Sequence, residues 1–324
     1  MKKLIIAGGS GYLGSVLADY FSTKAEVIIL SRRSMASFDS TRIARFVHWD
    51  GQNLGSWVQE LEGADALINL AGRSVNCRYN ASNRKAIIDS RVKATQVLGQ
   101  ALLQLKQPPN VWLNASTATI YRHAEDRSQD EYTGEYHDDF SVQVAKQWEQ
   151  AFYEASVPAS VRKVALRTAI VLGKTEGVFW RLRNLVRVGL GGKQGAGSQF
   201  VSWVHELDFA RAVEFLLKRP DLEGTFNIAA PSPITNTHLM RSLRETMHMP
   251  IGLPTPTWLL RLGAWLIGTE TELILKSRRV VPTRLLESGF RFQFPTIQTA
   301  WRQIVGYKKA AEQKPAAEQY TLVS

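Results

Sequence analysis

The sequence predicts an α/β fold, a doubly wound parallel sheet with a smaller, mostly helical lobe. Short apolar runs alternate with amphipathic stretches through the first 173 residues, the rhythm of βαβ units. A seven-residue stretch with four glycines, Gly8-Gly9-Ser10-Gly11-Tyr12-Leu13-Gly14, sits between the first such run and the first helix. After Gly173 the alternation breaks into glycine-rich and proline-broken segments. The first two observations specify a Rossmann-type sheet, and the third marks the second lobe.

Residues 3–7 read as the first strand, followed by the glycine turn, a helix to about residue 21, and a second strand at 27–30. Gly8 permits the tight turn, Gly11 lets backbone approach a pyrophosphate, and Gly14 lets the helix pack closely on the sheet. The helix N-terminus then offers N–H groups and a positive dipole end to phosphates. Strand two ends in Ser31-Arg32-Arg33. A carboxylate there would accept from an adenosine 2′-hydroxyl, whereas arginine accommodates a 2′-phosphate. The residues favour NADP(H) over NAD(H), the other reading being a pair of solvated surface arginines.

A third strand spans residues 46–49 and ends at Asp50, and a fourth spans 66–70 and leads into Leu70-Ala71-Gly72. A polar helix covers about 82–105 before Pro108-Pro109. The fifth strand, 111–115, runs into Ser116-Thr117-Ala118-Thr119-Ile120-Tyr121, and a helix around 142–154 precedes the sixth, 161–167. Ligands in such sheets sit at the carboxyl ends of the strands. Those ends are Gly8, Ser31, Asp50, Leu70 to Gly72, Ser116-Thr117 and Arg167-Thr168.

Beyond Gly173 come a basic helix at 179–188, a glycine-rich loop at 189–199, an apolar run at 200–204, a helix at 209–218 and a strand at 225–228. From 231 to about 307 the chain reads as helical with proline breaks, a lid, and from 308 as a frayed tail. The expected division is therefore 1–173 with 204–230 as nucleotide domain, 174–203 with 231–307 as substrate lobe, and 308–324 as flexible tail.

Composition narrows the function. The 324 residues carry a net charge of +11, with 44% hydrophobic and 21% charged residues, ordinary for a globular domain. The basic residues are scattered in short pairs, so nucleic acid is not an expected partner and the charge is read as surface, partly serving an anionic cofactor. A lone cysteine, Cys77, excludes intrachain disulfides and thiolate metal clusters and fits a reducing cytoplasm. The N-terminal apolar run enters the glycine turn at once, unlike a signal peptide. The stretch 258–268 is interrupted by Arg261 and falls short of the roughly 20 residues that span a membrane.

The stretches AGGSGYLG, LINLAG, DSRVKAT, NASTATIY, ALRTAIVLG, GLGGKQGAGSQFVSWVHELD, GTFNIAAPSPITN and RLLESGFRFQFP occur in that order from residue 4 to about 300. Together they resemble the extended short-chain dehydrogenase/reductase superfamily, and more closely its atypical, epimerase-like branch, sometimes labelled cell-division-inhibitor-like. The resemblance implies that Gly8, Gly11 and Gly14 line a pyrophosphate, with Gly9, Ser10, Tyr12 and Leu13 completing the turn. It places Ser31 and Arg32 by the adenosine phosphate, Leu70, Ala71 and Gly72 beside the cofactor, Ser116 at the end of strand five as a further cofactor contact, and Ile170 near the nicotinamide. It also directs Arg91 at the cofactor's phosphates or ribose, against a plain helix-surface salt bridge, and Asp50 at the adenine amine, against a simple turn role.

The superfamily's chemistry pairs a Ser or Thr after strand five with a Tyr-x-x-x-Lys on the next helix, the phenol exchanging a proton while hydride moves to or from nicotinamide. Thr117 matches the hydroxyl position, and Lys146 the lysine, but four residues earlier stands Val142. The one Tyr-x-x-x-Lys, Tyr20 to Lys24, closes the first helix, far from the strand ends, and is a coincidence. Tyr121 and His205 are the alternative catalytic groups, with His123 behind them, each weighed against a packing role. Gln199, Ser202 and Trp203, polar and aromatic groups beside the glycine-rich loop, are the candidate substrate contacts. No His/Cys cluster or acid pair at ligand spacing points to a metal. The expectation is an NADP(H)-dependent, epimerase-like oxidoreductase acting on a small hydroxylated or carbonyl compound. Its rival is a catalytically inactive NADP(H)-binding sensor.

Overall fold

Seven strands pair in parallel in a computed structural model that describes residues 1–32, 44–174, 176–266 and 275–312. They are β1 (Lys3–Ala7), β2 (Glu26–Ser31), β3 (Ala44–His48), β4 (Ala66–Asn69), β5 (Val111–Thr117), β6 (Arg162–Thr168) and a late strand, Gly224–Ile228. The order across the sheet is late strand, β6, β5, β4, β1, β2, β3. The chain therefore winds outward from β1 in one direction to β3 and then in the other from β4. The crevice opens where that direction reverses, between β1 and β4.

Apolar residues on alternate positions of these strands face two helical layers. Leu4, Ile6, Ile29, Leu113 and Leu166 pack with α1 (Tyr12–Phe21). Ile5, Ile28, Leu67 and Trp112 pack with α2 (Ala81–Leu102) and α3 (Phe140–Glu154). Central strands such as β1, β2 and β4 are buried on both faces, whereas the edge strand β3 exposes Arg45 and His48 to water.

The smaller lobe collects most of the remaining elements, whereas Glu206–Lys218 lies with α1 against the sheet. Residues 200–204, read as one apolar run, divide at Ser202. β7 (Ile170–Leu172) pairs in parallel with Trp203–His205, while Phe200–Val201 pairs antiparallel with Ile234–Thr235. Ser202 itself donates to the Arg278 carbonyl at 2.6 Å and accepts from the Val280 N–H at 2.8 Å, which diverts the chain between the two sheets. Continuing the chain-order labels, α4 is Val178–Arg187, β8 Phe200–Val201, β9 Trp203–His205, α5 Glu206–Lys218, β10 Gly224–Ile228 and β11 Ile234–Thr235. Then come α6 (Asn236–Thr246), α7 (Thr257–Leu266), α8 (Thr283–Glu287) and α9 (Ile297–Glu312). Phe179, Leu182, Trp203, Met240, Leu243 and Trp301 form this lobe's own core.

Several boundaries shift by a few residues, and two of the shifts have local reasons. α5 begins three residues earlier than its apolar period indicates, because the His205 ring caps it, Nδ1 accepting from the Leu207 N–H at 3.1 Å. Residues 308–312, expected as tail, continue α9, as a Lys-Lys-Ala-Ala-Glu run with high helix propensity allows. Residues 313–324 lie outside the described part. No helix among the described residues is long and apolar enough to cross a membrane.

The C-terminal segment is fastened to α5 by one carboxylate. Asp208, with no exposed surface, accepts from the Gln293 N–H at 2.8 Å, the Phe294 N–H at 2.7 Å and Arg211 Nη1 at 2.6 Å. Asp208→Ala removes the acceptor from two backbone donors, of which the Phe294 N–H is buried. Chemical denaturation should register a loss of about 3 kcal/mol, and a smaller one for Asp208→Asn, which keeps one acceptor oxygen.

Candidate functional site

A cleft of about 730 Å³ opens over the carboxyl ends of β1, β2 and β4, walled by the glycine turn, by Trp49 to Gln52, and by the loop 70–74 with one flank of α2. Three glycines shape its floor. Gly8 adopts φ +73, and a Cβ on it would lie 2.6 Å from the Ala71 Cα, so the ends of β1 and β4 meet at a distance that excludes any side chain. A Cβ on Gly14 would lie 2.2 Å from the Gly9 carbonyl oxygen. Its close packing is therefore against the turn rather than against the sheet, as the sequence had implied. Gly11 is different: a Cβ there would meet nothing within 4 Å, because the position faces the open cleft.

Gly11 is also the N-cap of α1, with no side-chain cap and no acidic residue in the first turn. The first N–H groups and the positive end of the helix dipole thus face the cleft unneutralised. Gly8, Ser10 and Gly11 lie on the cleft wall. Gly9 is buried, its Cβ position against Ile6 and Ile29. Leu13, in the first turn of α1, packs against the core, and Tyr12 turns away to donate to Glu206 Oε2 at 2.8 Å. Burial beside that carboxylate holds the Tyr12 phenol well above its ordinary range.

At the outer end Ser31 and Arg32 line the wall, with no carboxylate at the end of β2; Arg33 lies outside the described residues. Asp50 also lines this end, but its Oδ1 accepts from the Gln52 and Asn53 N–H groups at 2.8 and 2.9 Å and its Oδ2 from Asn53 Nδ2 at 2.7 Å. These bonds hold its carboxyl below the usual carboxylate range. Of the two roles weighed for Asp50, the turn is the one its hydrogen bonds make.

The β4 end is fixed by a buried amide. Asn69 accepts from the Ala71 N–H at 3.0 Å and donates to Asn114 Oδ1 at 2.6 Å, tying the loop carrying Leu70, Ala71 and Gly72 to β5. Arg91 lies behind that loop. It donates to the carbonyls of Arg73 and Ile87 at 3.0 and 2.9 Å and lies over the Trp148 ring, and burial draws it down to about 10. Its guanidinium props the cleft wall from outside, instead of reaching into it as the resemblance implied.

The groups expected to do chemistry are not brought together. Thr117, at the end of β5, is half-buried, and its Oγ1 lies 3.0 Å from that of Thr119 while accepting from the Thr119 N–H. Ser116 faces the opposite side of the strand, donating to Glu149 Oε1 at 2.6 Å. Tyr121 has no exposed surface; it donates to Asn227 Oδ1 at 3.0 Å and accepts from Arg167 Nη1 at 2.9 Å. Burial pushes its phenol up to about 12, so it is a packing tyrosine, not a proton donor at the cleft. His205 has both ring nitrogens engaged, by the Leu207 N–H and by Gln303 Oε1 at 2.9 Å, and stacks on Phe294. His123, exposed, accepts from the Ser277 N–H. Ile170 begins β7, half-buried.

Gln199, Ser202 and Trp203, expected to touch substrate, are all buried within the smaller lobe. Gln199 donates to the Gln194 carbonyl at 2.8 Å, Ser202 bridges Arg278 and Val280, and Trp203 fills the core. On α3, Val142 is fully buried, and Lys146, exposed, donates to the His137 carbonyl at 3.4 Å. Among the described residues no group of three His, Cys, Asp or Glu stands at metal-binding distance.

Sequence reasoning left two features unassigned. One is a buried ion pair, Arg167 with Glu149 at 2.7 Å, reaching Ser116, Tyr121 and the Tyr136 hydroxyl. An arginine within an apolar strand was its only signal. The other is the α2 flank bearing Ala86, Asp89, Ser90, Lys93 and Ala94 on the cleft wall, for which the i, i+4 acid–base spacing of Asp89 and Lys93 was the available sign.

Against this geometry the comparisons with known proteins are consistent. Residues 4–229 match the NAD dependent epimerase/dehydratase family, and residues 255–304 match a domain of unknown function, DUF1731. The chain is 30% identical over 306 residues to an epimerase family protein of Staphylococcus saprophyticus, covering 94% of this chain and all of that one. The human epimerase family protein SDR39U1 is 28% identical over 309 residues, 94% of this chain and 99% of its own. The crystal structure of its isoform 2, described with NADPH, superposes with a TM-score of 0.82 at 27% identity, covering 94% of this chain and 99% of that chain. A nucleoside-diphosphate sugar epimerase from Corynebacterium glutamicum superposes with 0.73 at 28% identity, covering 97% of this chain but 60% of that one.

The buried His205 supplies a pH test. Burial lowers its pKa below the ordinary 6.5, so on acidification the unfolded chain takes up this proton before the folded one. Its contribution to stability is complete above 6.5 and is lost as pH falls. Denaturation midpoints collected between pH 7 and about 5 should decline with pH, and less steeply in His205→Gln; equal slopes would remove the assignment.

Proposed function

This chain belongs to the NAD dependent epimerase/dehydratase family, and from that premise we propose that it binds NADP(H) in the cleft and passes hydride between the nicotinamide and a small hydroxylated or carbonyl compound. The observation that carries the cofactor choice is the wall at the end of β2: Ser31 and Arg32, with no carboxylate. A guanidinium suits a dianionic 2′-phosphate, which a carboxylate would repel. The side-chain-free space over Gly11 and the uncapped N-terminus of α1 suit a pyrophosphate. The human relative described with NADPH supports the same reading.

Bound there, the dinucleotide supplies the hydride chemistry, and the chain supplies position. The Asn69 amide fixes the loop at Ala71, and Thr117 offers a hydroxyl at the end of β5 to orient a substrate oxygen. A second reading, a cofactor-binding sensor without turnover, is favoured by one observation: where the superfamily's phenol stands, Val142 is buried, and Tyr121 and His205 are sealed inside the fold.

Calorimetry of the full chain should give tighter binding for NADPH than for NADH. Arg32→Ala should remove about 1.5–3 kcal/mol of that preference, the range for a hydrogen bond to a charged group. Equal affinities in the unmodified protein would overturn the cofactor choice. In a screen of ketones, aldehydes and sugars read by nicotinamide absorbance, Thr117→Ala should lower turnover about 10²-fold without changing NADPH affinity. No turnover in any compound favours the sensor.

A further inference from the structure

α2 presents two flanks. Arg91 lies over Trp148 of α3, and Thr95 accepts from the Trp148 indole, so this flank faces the β5–β6 side of the sheet. Asp89 and Lys93 are each two positions from Arg91, about 200° around the helix. That flank faces the opposite side, towards β1, β2 and β3, and both residues line the cleft there opposite Trp49, Gly51 and Gln52. In a doubly wound sheet the adenosine half of a dinucleotide lies on that side, beyond the end of β2.

Resting on the proposed reading of the cleft as an NADP(H) site, we infer that Asp89 and Lys93 read the edge of the cofactor's adenine. Lys85 and Lys93 both approach Asp89 Oδ2, at 2.6 and 3.4 Å. Among the described residues nothing donates to Oδ1. A carboxylate oxygen accepts from the 6-amino group, and a lysine donates to a neighbouring ring nitrogen, matching adenine's donor beside its acceptors. Ala86, Ser90 and Ala94 on the same wall are small enough to leave room for a planar base. Trp49 lines the facing wall, and its buried indole N–H has no partner among the described residues. Asp50, the other carboxylate at this end, has both oxygens engaged by its own turn. Lys85 is mostly exposed and absent from the wall, which leaves it the role of orienting Asp89.

The discriminating ligand is the reduced hypoxanthine analogue of NADPH, in which a carbonyl oxygen replaces the 6-amino group. Against Asp89 it sets acceptor facing acceptor. Calorimetry of the full chain should show the analogue binding at least about tenfold more weakly than NADPH, as bidentate base contacts discriminate. Asp89→Asn, whose amide either accepts or donates, should bring the two affinities within about twofold, and Lys93→Met should narrow the gap. Arg32→Ala, in contrast, should weaken both nucleotides by one common factor. Equal affinities in the unmodified protein, or full discrimination surviving in both Asp89→Asn and Lys93→Met, would overturn the assignment. Binding of neither nucleotide would instead remove the cofactor reading, and this inference with it.

Discussion

The close approach of β1 and β4 at the switch point governs the rest of the structure. With 2.6 Å between a Gly8 Cβ and the Ala71 backbone, any side chain at residue 8 would push the two strand ends apart. Because they meet, the α1 N-terminus and the loop 70–74 become neighbouring walls of one cleft. Gly14 against the Gly9 carbonyl completes the same compaction from the helix side. The cradle therefore follows from backbone geometry, and side chains only tune what it holds.

This is why the nucleotide half was legible in the sequence. Strand alternation and glycine placement are local signals, and the parallel sheet follows from them with boundary shifts of a few residues. The reaction half was not legible, because its polar residues find partners far away in the chain. Tyr121 pairs with Asn227, His205 with Gln303, and Ser202 with Arg278. A tyrosine or histidine near a strand end reads identically whether it faces a cleft or a buried amide. Asp50 and Arg91 show the same limit from the other direction: Asp50 at the cleft end is held by its own turn, and Arg91 behind the wall by the carbonyls of Ile87 and Arg73.

The Arg167–Glu149 pair illustrates what those distant partners do. A charge pair out of water is costly unless every donor and acceptor is met. Here Glu149 receives Arg167 and Ser116, while Arg167 also reaches Tyr121 and Tyr136. Satisfied in this way, the pair locks α3, β5 and β6 in one register beneath Thr117. The position of that hydroxyl is thus set by residues that never touch the cleft.

Asp208 carries an implication for how such a chain evolves. Residues beyond 280 contribute Leu285 and Phe290 to the nucleotide core, and Ile297, Trp301 and Ile304 to the smaller lobe, with the Asp208 clasp between the two groups. The C-terminal region is therefore no removable appendage. Exchanging it between relatives would strip one core and expose the other, so recombination at this junction is penalised, and the two segments are constrained to diverge together.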